Sequence, residues 1–115
     1  MATQLSSASF WILTALASAR RHGYDILREV ESASEGREAL KVTTFYATLE
    51  RLERDGLIRS DGEEVVSGRV RRYFVLDDSG AEALKVEVDV LERRARVARE
   101  RLSSFRPVAA RTAMA

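Results

Sequence analysis

Apolar and polar positions along this chain change period several times, and each change marks an element. Phe10, Leu13, Leu16 and Ala17 recur at steps of three, three and one behind Ser6, Ser7 and Ser9. This predicts a first helix over about 7–19. Arg20-Arg21-His22-Gly23 breaks the pattern. A second helix is expected over about 24–33, with Ile26, Leu27 and Val30 turned inward. Ser34-Glu35-Gly36 closes it, because glycine takes the left-handed cap geometry at low cost. Phe45, Leu49 and Leu52 form the buried stripe of a third helix over about 44–55, and Gly56 ends it. Thr43 or Thr44 suits its N-cap, since a threonine oxygen can accept from a free first-turn N–H. The other face carries Thr44, Ala47, Thr48, Arg51 and Arg54, with Tyr46 beside them.

The period then moves from 3.6 toward 2. Leu57–Ser60 starts a strand, and Val70–Leu76, rich in β-branched and aromatic residues, is a second. Asp61, Gly62, Glu63, Glu64, Ser67 and Gly68 between them are turn chemistry, so one antiparallel hairpin with a long tip is expected. Ser79-Gly80-Ala81-Glu82 fits a capping box. Behind it Leu84, Val88, Leu91, Ala95, Ala98, Leu102 and Phe105 alternate in steps of four and three, a heptad seam. A helix over 79–102 would extend about 36 Å, too long for the preceding domain to cover. A second copy of the same helix is the economical cover, giving a symmetric dimer with Leu84, Val88, Leu91, Ala95, Ala98 and Leu102 at the interface. Packing on its own domain alone is the competing arrangement. Beyond Pro107 the tail is expected to fray.

Helix, helix, helix, hairpin, long helix is the winged-helix plan, a variant of helix-turn-helix. The expected class is therefore mostly α (α+β). A winged-helix DNA-binding domain takes residues 1–77, a dimerisation helix 78–104, and a flexible tail 105–115. In that plan the third helix enters the major groove and the hairpin tip reaches the backbone. Thr44, Thr48 and Arg51 share a face of the third helix, with Thr43 at its start. Arginine can pair with guanine, and threonine can meet phosphate or a thymine methyl. Arg69, Arg71 and Arg72 follow Gly68 on the wing and could neutralise phosphates. Glu50, Glu53 and Asp55 share the third helix, so it is not uniformly basic, and Glu53 can pair with neighbouring arginines.

Composition changes this picture little. The 115 residues make one domain, 45% are apolar and 32% charged, and there is no cysteine. Disulfide frameworks, zinc fingers and thiol nucleophiles are excluded. Net charge is only +1, yet all the basic residues except Lys41 and Lys85 are arginine. Arginine is the better fork for phosphates and bases, while a GC-rich genome produces the same bias. The balance is uneven along the chain: Arg69, Arg71 and Arg72 stand together without an acid among them. No targeting or membrane-spanning segment is visible, so a cytoplasmic location is expected.

Phe45-Tyr46-x-x-Leu49-x-Arg51-Leu52-Glu53-x-x-Gly56-Leu57-Ile58, then Gly68-x-x-x-Arg72-Tyr73-Phe74-x-Leu76, then Gly80-x-x-x-Leu84, resembles the PadR-type transcriptional regulators. Gly23-Tyr24-x-Ile26 is similar to the entry to that family's second helix. The likeness covers about residues 8–102. It implies a homodimeric repressor that binds a pseudo-palindromic promoter site and releases it when an effector binds. It also implies that Tyr46 contacts a phosphate, flanked by Thr44 and Thr48, with the wing arginines astride the backbone. The single C-terminal helix resembles the family's shorter subgroup. Two departures stand out. Asp77-Asp78-Ser79 replaces the usual threonine before the last helix, and Gly36–Val42 lacks the proline or glycine often placed before the recognition helix.

In short members of that family, aromatic residues near the dimer interface can stack on flat hydrophobic effectors. Trp11, the only tryptophan, is the candidate here, against the plainer reading that it packs in the core. His22, the only histidine, is expected to be solvated in a turn. Neither it nor Glu63-Glu64 on the wing suggests a catalytic set, so no enzyme activity, metal or other cofactor is expected. Two function classes remain. One is a DNA-binding repressor; the other is a winged helix used for protein–protein interaction without sequence-specific DNA binding.

Overall fold

A computed structural model describes residues 4–109. The order is α1 (Ser7–Ser18), β1 (Arg21–His22), α2 (Gly23–Ala33), α3 (Val42–Arg54), β2 (Ile58–Val66), β3 (Arg69–Leu76) and α4 (Asp78–Ser103). Ser6 caps α1 by accepting from the Ser9 N–H. Ile12, Leu13 and Leu16 of α1, Ile26 and Val30 of α2, and Phe45, Leu49 and Leu52 of α3 meet in one core, closed by Ile58 and Phe74 of the sheet. The helical stripes read from the sequence thus supply nearly all of it.

Arg20–Gly23 is more than a break. Arg21 and His22 pair antiparallel with Phe74 and Tyr73, giving a three-stranded sheet in the order β1-β3-β2. His22 is half-buried and does more than face solvent in a turn: its Nδ1 accepts from the Asp25 N–H and caps α2, and its ring meets Tyr73 edge-on.

The wing is also more regular than expected. Glu63–Val66 pairs with Arg69–Arg72, so the tip shrinks to Ser67-Gly68. Both of these residues have positive φ (52° and 76°), the mirror-image turn whose twist matches that of the strands. One irregularity remains, a register shift between Ser60 and Glu63. Arg20 pins it: its Nε lies 2.6 Å from Asp61 Oδ2, and its guanidinium stacks 3.8 Å over the Tyr73 ring.

Two expected caps differ. α3 begins at Val42, with Lys41 as N-cap and no side-chain capping bond, so Thr43 and Thr44 lie inside its first turn. α4 is capped by Asp77, whose carboxylate accepts from the Ser79 N–H; this bond, and the Ser79 hydroxyl after it, lowers the Asp77 pKa from its ordinary value. Ser79 Oγ also lies 2.6 Å from the Gly56 carbonyl, so its one proton is shared between that oxygen and the Asp77 carboxylate. Gly80 sits directly on the α3–β2 joint: a Cβ there would fall 2.0 Å from the Leu57 carbonyl oxygen.

From Asp89 on, every described residue of α4 is exposed, and the molecule measures 72 Å in its longest direction. The heptad seam therefore divides. Leu84 packs against the core and Val88 is half-buried, whereas Leu91, Ala95, Ala98 and Leu102 face outward. Residues 110–115 of the expected tail lie outside the described residues. No helix among the described residues is long and apolar enough to cross a membrane.

Candidate nucleic-acid interface

The outward surface of α3 follows from its own period. Phe45, Thr48, Leu49 and Leu52 are buried, so Thr43, Ala47, Glu50 and Arg54 point directly away from the core. Tyr46 and Glu53 flank this face on the wing side, and Thr44 and Arg51 flank it on the other. Ala47 keeps its centre shallow. Thr48 is not on this surface. It is only 4% exposed, and its hydroxyl donates 2.9 Å to the Thr44 carbonyl. That bond satisfies the polar atom within the core.

Tyr46 is half exposed and lies over the start of α2. A Cβ on Gly23 would fall 2.9 Å from its hydroxyl, so only glycine leaves the ring where it is. Its ring also meets Phe45 edge-on. His22, Tyr24, Tyr46, Glu50 and the strand from Arg69 to Arg72 line a cleft of about 580 Å³ between α2, α3 and the wing.

The wing arginines do not act as one group. Along β3 alternate residues face opposite sides, which separates Arg69 and Arg71 from Arg72. Arg72 turns toward α3, where Nη2 lies 2.8 Å from Glu53 Oε2 and 3.0 Å from Oε1. Ser60 Oγ donates to the same carboxylate. This anchors the base of the wing to α3 and occupies Arg72, which is therefore not a free cation. Arg69 and Arg71 are exposed, and among the described residues neither has an ion-pair partner; the same holds for Arg51 and Arg54. Arg54, which the sequence placed on the outward face of this helix without naming it among the DNA contacts, belongs to this surface. Its exposure opposite Leu49 and Leu52 was the available signal.

Arg51 lies away from the wing. With Leu5, Ser9, Asp55, Leu57, Val86, Glu87 and Val90 it lines a half-open groove of about 1230 Å³ between α1, α3 and α4. Trp11 lines neither cavity. It is half-buried against the core, with Phe10 edge-on to its ring at 5.3 Å. Among the described residues no cluster of His, Asp and Glu could hold a metal ion.

The profile of the Transcriptional regulator PadR-like family matches residues 12–86. A transcriptional regulator of Mycobacterium tuberculosis is 45% identical over 53 residues, 46% of this chain and 49% of that protein, so the match spans about half the length of that curated relative. The crystal structure of a PadR family transcription regulator from Clostridium difficile superposes with a TM-score of 0.71 at 26% identity, over 84% of this chain and 99% of the other. Bacillus subtilis PadR in complex with operator DNA shares the fold, with a TM-score of 0.65 at 21% identity over 72% of this chain and 47% of that one. The matched stretch runs from α1 into α4 and takes in the recognition helix, the wing and the Gly80 joint. The chain belongs to the PadR-like family of transcriptional regulators.

Proposed function

We propose that the protein is a homodimeric repressor that reads a pseudo-palindromic promoter site and releases it on binding a planar hydrophobic molecule. The observation that carries the DNA half is the set of unpaired cations beside an exposed recognition face. Thr43, Thr44, Tyr46 and Arg54 are exposed on α3, and Arg69 and Arg71 are exposed on the wing, while Glu53 on the wing side of α3 is neutralised by Arg72. The Bacillus subtilis relative, whose structure contains operator DNA, supports the same use.

The residues take separate roles. Arg69 and Arg71 meet phosphates, Tyr46 hydrogen-bonds the backbone, and Thr43, Thr44 and Arg54 approach base edges. Arg51 lies at the rim and reaches the backbone beyond the recognition face. Arg72 holds the wing in place without touching DNA. Titrating the chain's own upstream DNA at several salt concentrations tests this. Arg71→Ala is expected to weaken binding about equally on all sequences and to reduce the salt slope by about one unit. If the wild-type chain shows no salt-sensitive affinity for that DNA, the protein–protein interaction reading replaces this one.

The effector half rests on Trp11. Trp11 is half-buried, and it is the only tryptophan. Its fluorescence is expected to quench as planar aromatic compounds are titrated in, in step with loss of DNA. Unchanged emission across a broad panel would remove Trp11 from the reading.

A further inference from the structure

At Tyr73 the regular part of the sheet gives way to the wing. Tyr73 stands on the central strand β3, paired on one side with His22 of β1. On the other side β2 carries an extra residue. Asp61 and Gly62 together oppose Tyr73, between the Ser60–Phe74 and Glu63–Arg72 pairs. Such a bulge bends its strand and sharpens the local twist. It therefore sets the direction of the wing beyond it, Arg69 and Arg71 included. Arg20 grips the bulge at two atoms. Its Nε donates to the Asp61 carboxylate at 2.6 Å, and its Nη2 donates to the Asp61 backbone carbonyl at 2.8 Å. The same guanidinium lies 3.8 Å over the Tyr73 ring, and the His22 ring meets that ring edge-on.

The hydroxyl at the end of the ring reaches onto the wing. Tyr73 shares a strand face with Arg69 and Arg71, and Glu64 stands directly opposite Arg71 in the register. Opposite charges facing each other across a strand pair ordinarily attract. Here they do not pair. The Tyr73 hydroxyl donates 2.9 Å to Glu64 Oε2, and Arg71 has no ion-pair partner among the described residues. The acid placed to neutralise Arg71 is drawn toward the bulge instead.

We propose that Tyr73 and Arg20 are positioning residues for the wing. The Tyr73 hydroxyl holds Glu64 off Arg71, and Arg20, clamped on the Asp61 bulge, holds the Tyr73 ring in place. The proposal rests on the DNA reading above and supplies the reason that Arg71 is free to meet a phosphate. Neither positioning residue touches DNA. Arg20 is already neutralised by Asp61 and adds no free cation to the surface.

The test is titration of the full chain against its own upstream DNA at several salt concentrations. Tyr73→Phe keeps the ring under Arg20 and removes only the hydroxyl. It is expected to weaken binding about two- to fivefold, the worth of one exposed ion pair. The salt slope is expected to fall by up to about one unit as Glu64 takes Arg71. Adding Glu64→Gln to Tyr73→Phe is expected to restore both. In an Arg71→Ala background, Tyr73→Phe is expected to have no further effect, because it acts through that cation. At the other end of the network, Asp61→Asn is expected to weaken binding by a factor similar to Arg20→Gln, although it removes a negative charge. A merely structural tyrosine would lower the melting temperature without a binding defect that Glu64→Gln reverses. Wild-type affinity and slope in Tyr73→Phe would overturn the proposal, as would failure of Glu64→Gln to rescue it. So would an Asp61→Asn variant that binds more tightly than wild type while Arg20→Gln binds more weakly, the pattern of an Arg20 that meets phosphate itself. A wild-type chain without salt-sensitive affinity for that DNA would instead remove the DNA reading.

Discussion

Gly80→Ala is expected to lower the melting temperature by about 12–24 °C, from a loss of about 3 kcal/mol at the midpoint for a domain of this size. The added methyl would stand 2.0 Å from the Leu57 carbonyl oxygen and 2.9 Å from its carbon. Backbone atoms cannot swing aside as a side chain can. That carbonyl already accepts from the Asp77 N–H at 3.0 Å, so moving it would disturb the α4 cap. The only relief is to lift the start of α4, which breaks the Ser79–Gly56 bond as well. A loss of about 3 kcal/mol is a large share of the 5–15 kcal/mol that holds most small domains together. Thermal unfolding followed by circular dichroism measures it. A shift of only a degree or two would mean that α4 does not sit this closely on the joint.

Leu91→Glu is expected to leave the fold intact and to abolish dimers at micromolar concentration. Leu91 is already 37% exposed in the single chain, so glutamate there costs the monomer little. In a dimer joined through the α4 seam, the substitution puts a charge from each copy into an apolar interface. Burying unpaired ions costs about 3–5 kcal/mol, or a factor of about 10²–10³ or more in the dissociation constant. Light scattering should report the monomer mass with an unchanged circular dichroism spectrum. DNA affinity should fall as well, because two linked reading heads bind far more tightly than one. A dimer that persists would show that Leu91 is not at the interface.

The helices and their buried faces were legible in the sequence because each spans enough turns for its period to show. The winged-helix order and the family resemblance followed from them. What stayed hidden depended on contacts between distant segments. Arg21-His22 is too short to display a period, and only pairing with Tyr73 and Phe74 makes it a strand. Glu63–Val66 read as loop because both of its faces are exposed, leaving no alternation to detect.

The candidate interface divided in the same way. Thr48 sits at the border between the buried and outward faces of α3. Only its bond to the Thr44 carbonyl shows that the core has taken it. Arg72 and Glu53 are 19 residues apart, and the ion pair that engages both exists only once the wing has folded against α3. Tyr46, Arg69 and Arg71, by contrast, stand exposed where the helical and strand periods place them.

The contact between Gly80 and the Leu57 carbonyl has a mechanical consequence. At Gly80 the backbone of α4 rests directly on the Leu57 carbonyl, with no side chain of its own between them, so the start of α4 moves with the joint that follows the recognition helix. In the proposed dimer, the separation of the two recognition helices is then geared to the angle at which the α4 helices cross. DNA presents half-sites about one helical turn apart, 34–36 Å, and tolerates little mismatch. A molecule wedged beside the α4 pair need only open that angle slightly to throw the heads out of step with the duplex. By reciprocity, DNA that holds the heads in step resists the wedge by the same free energy.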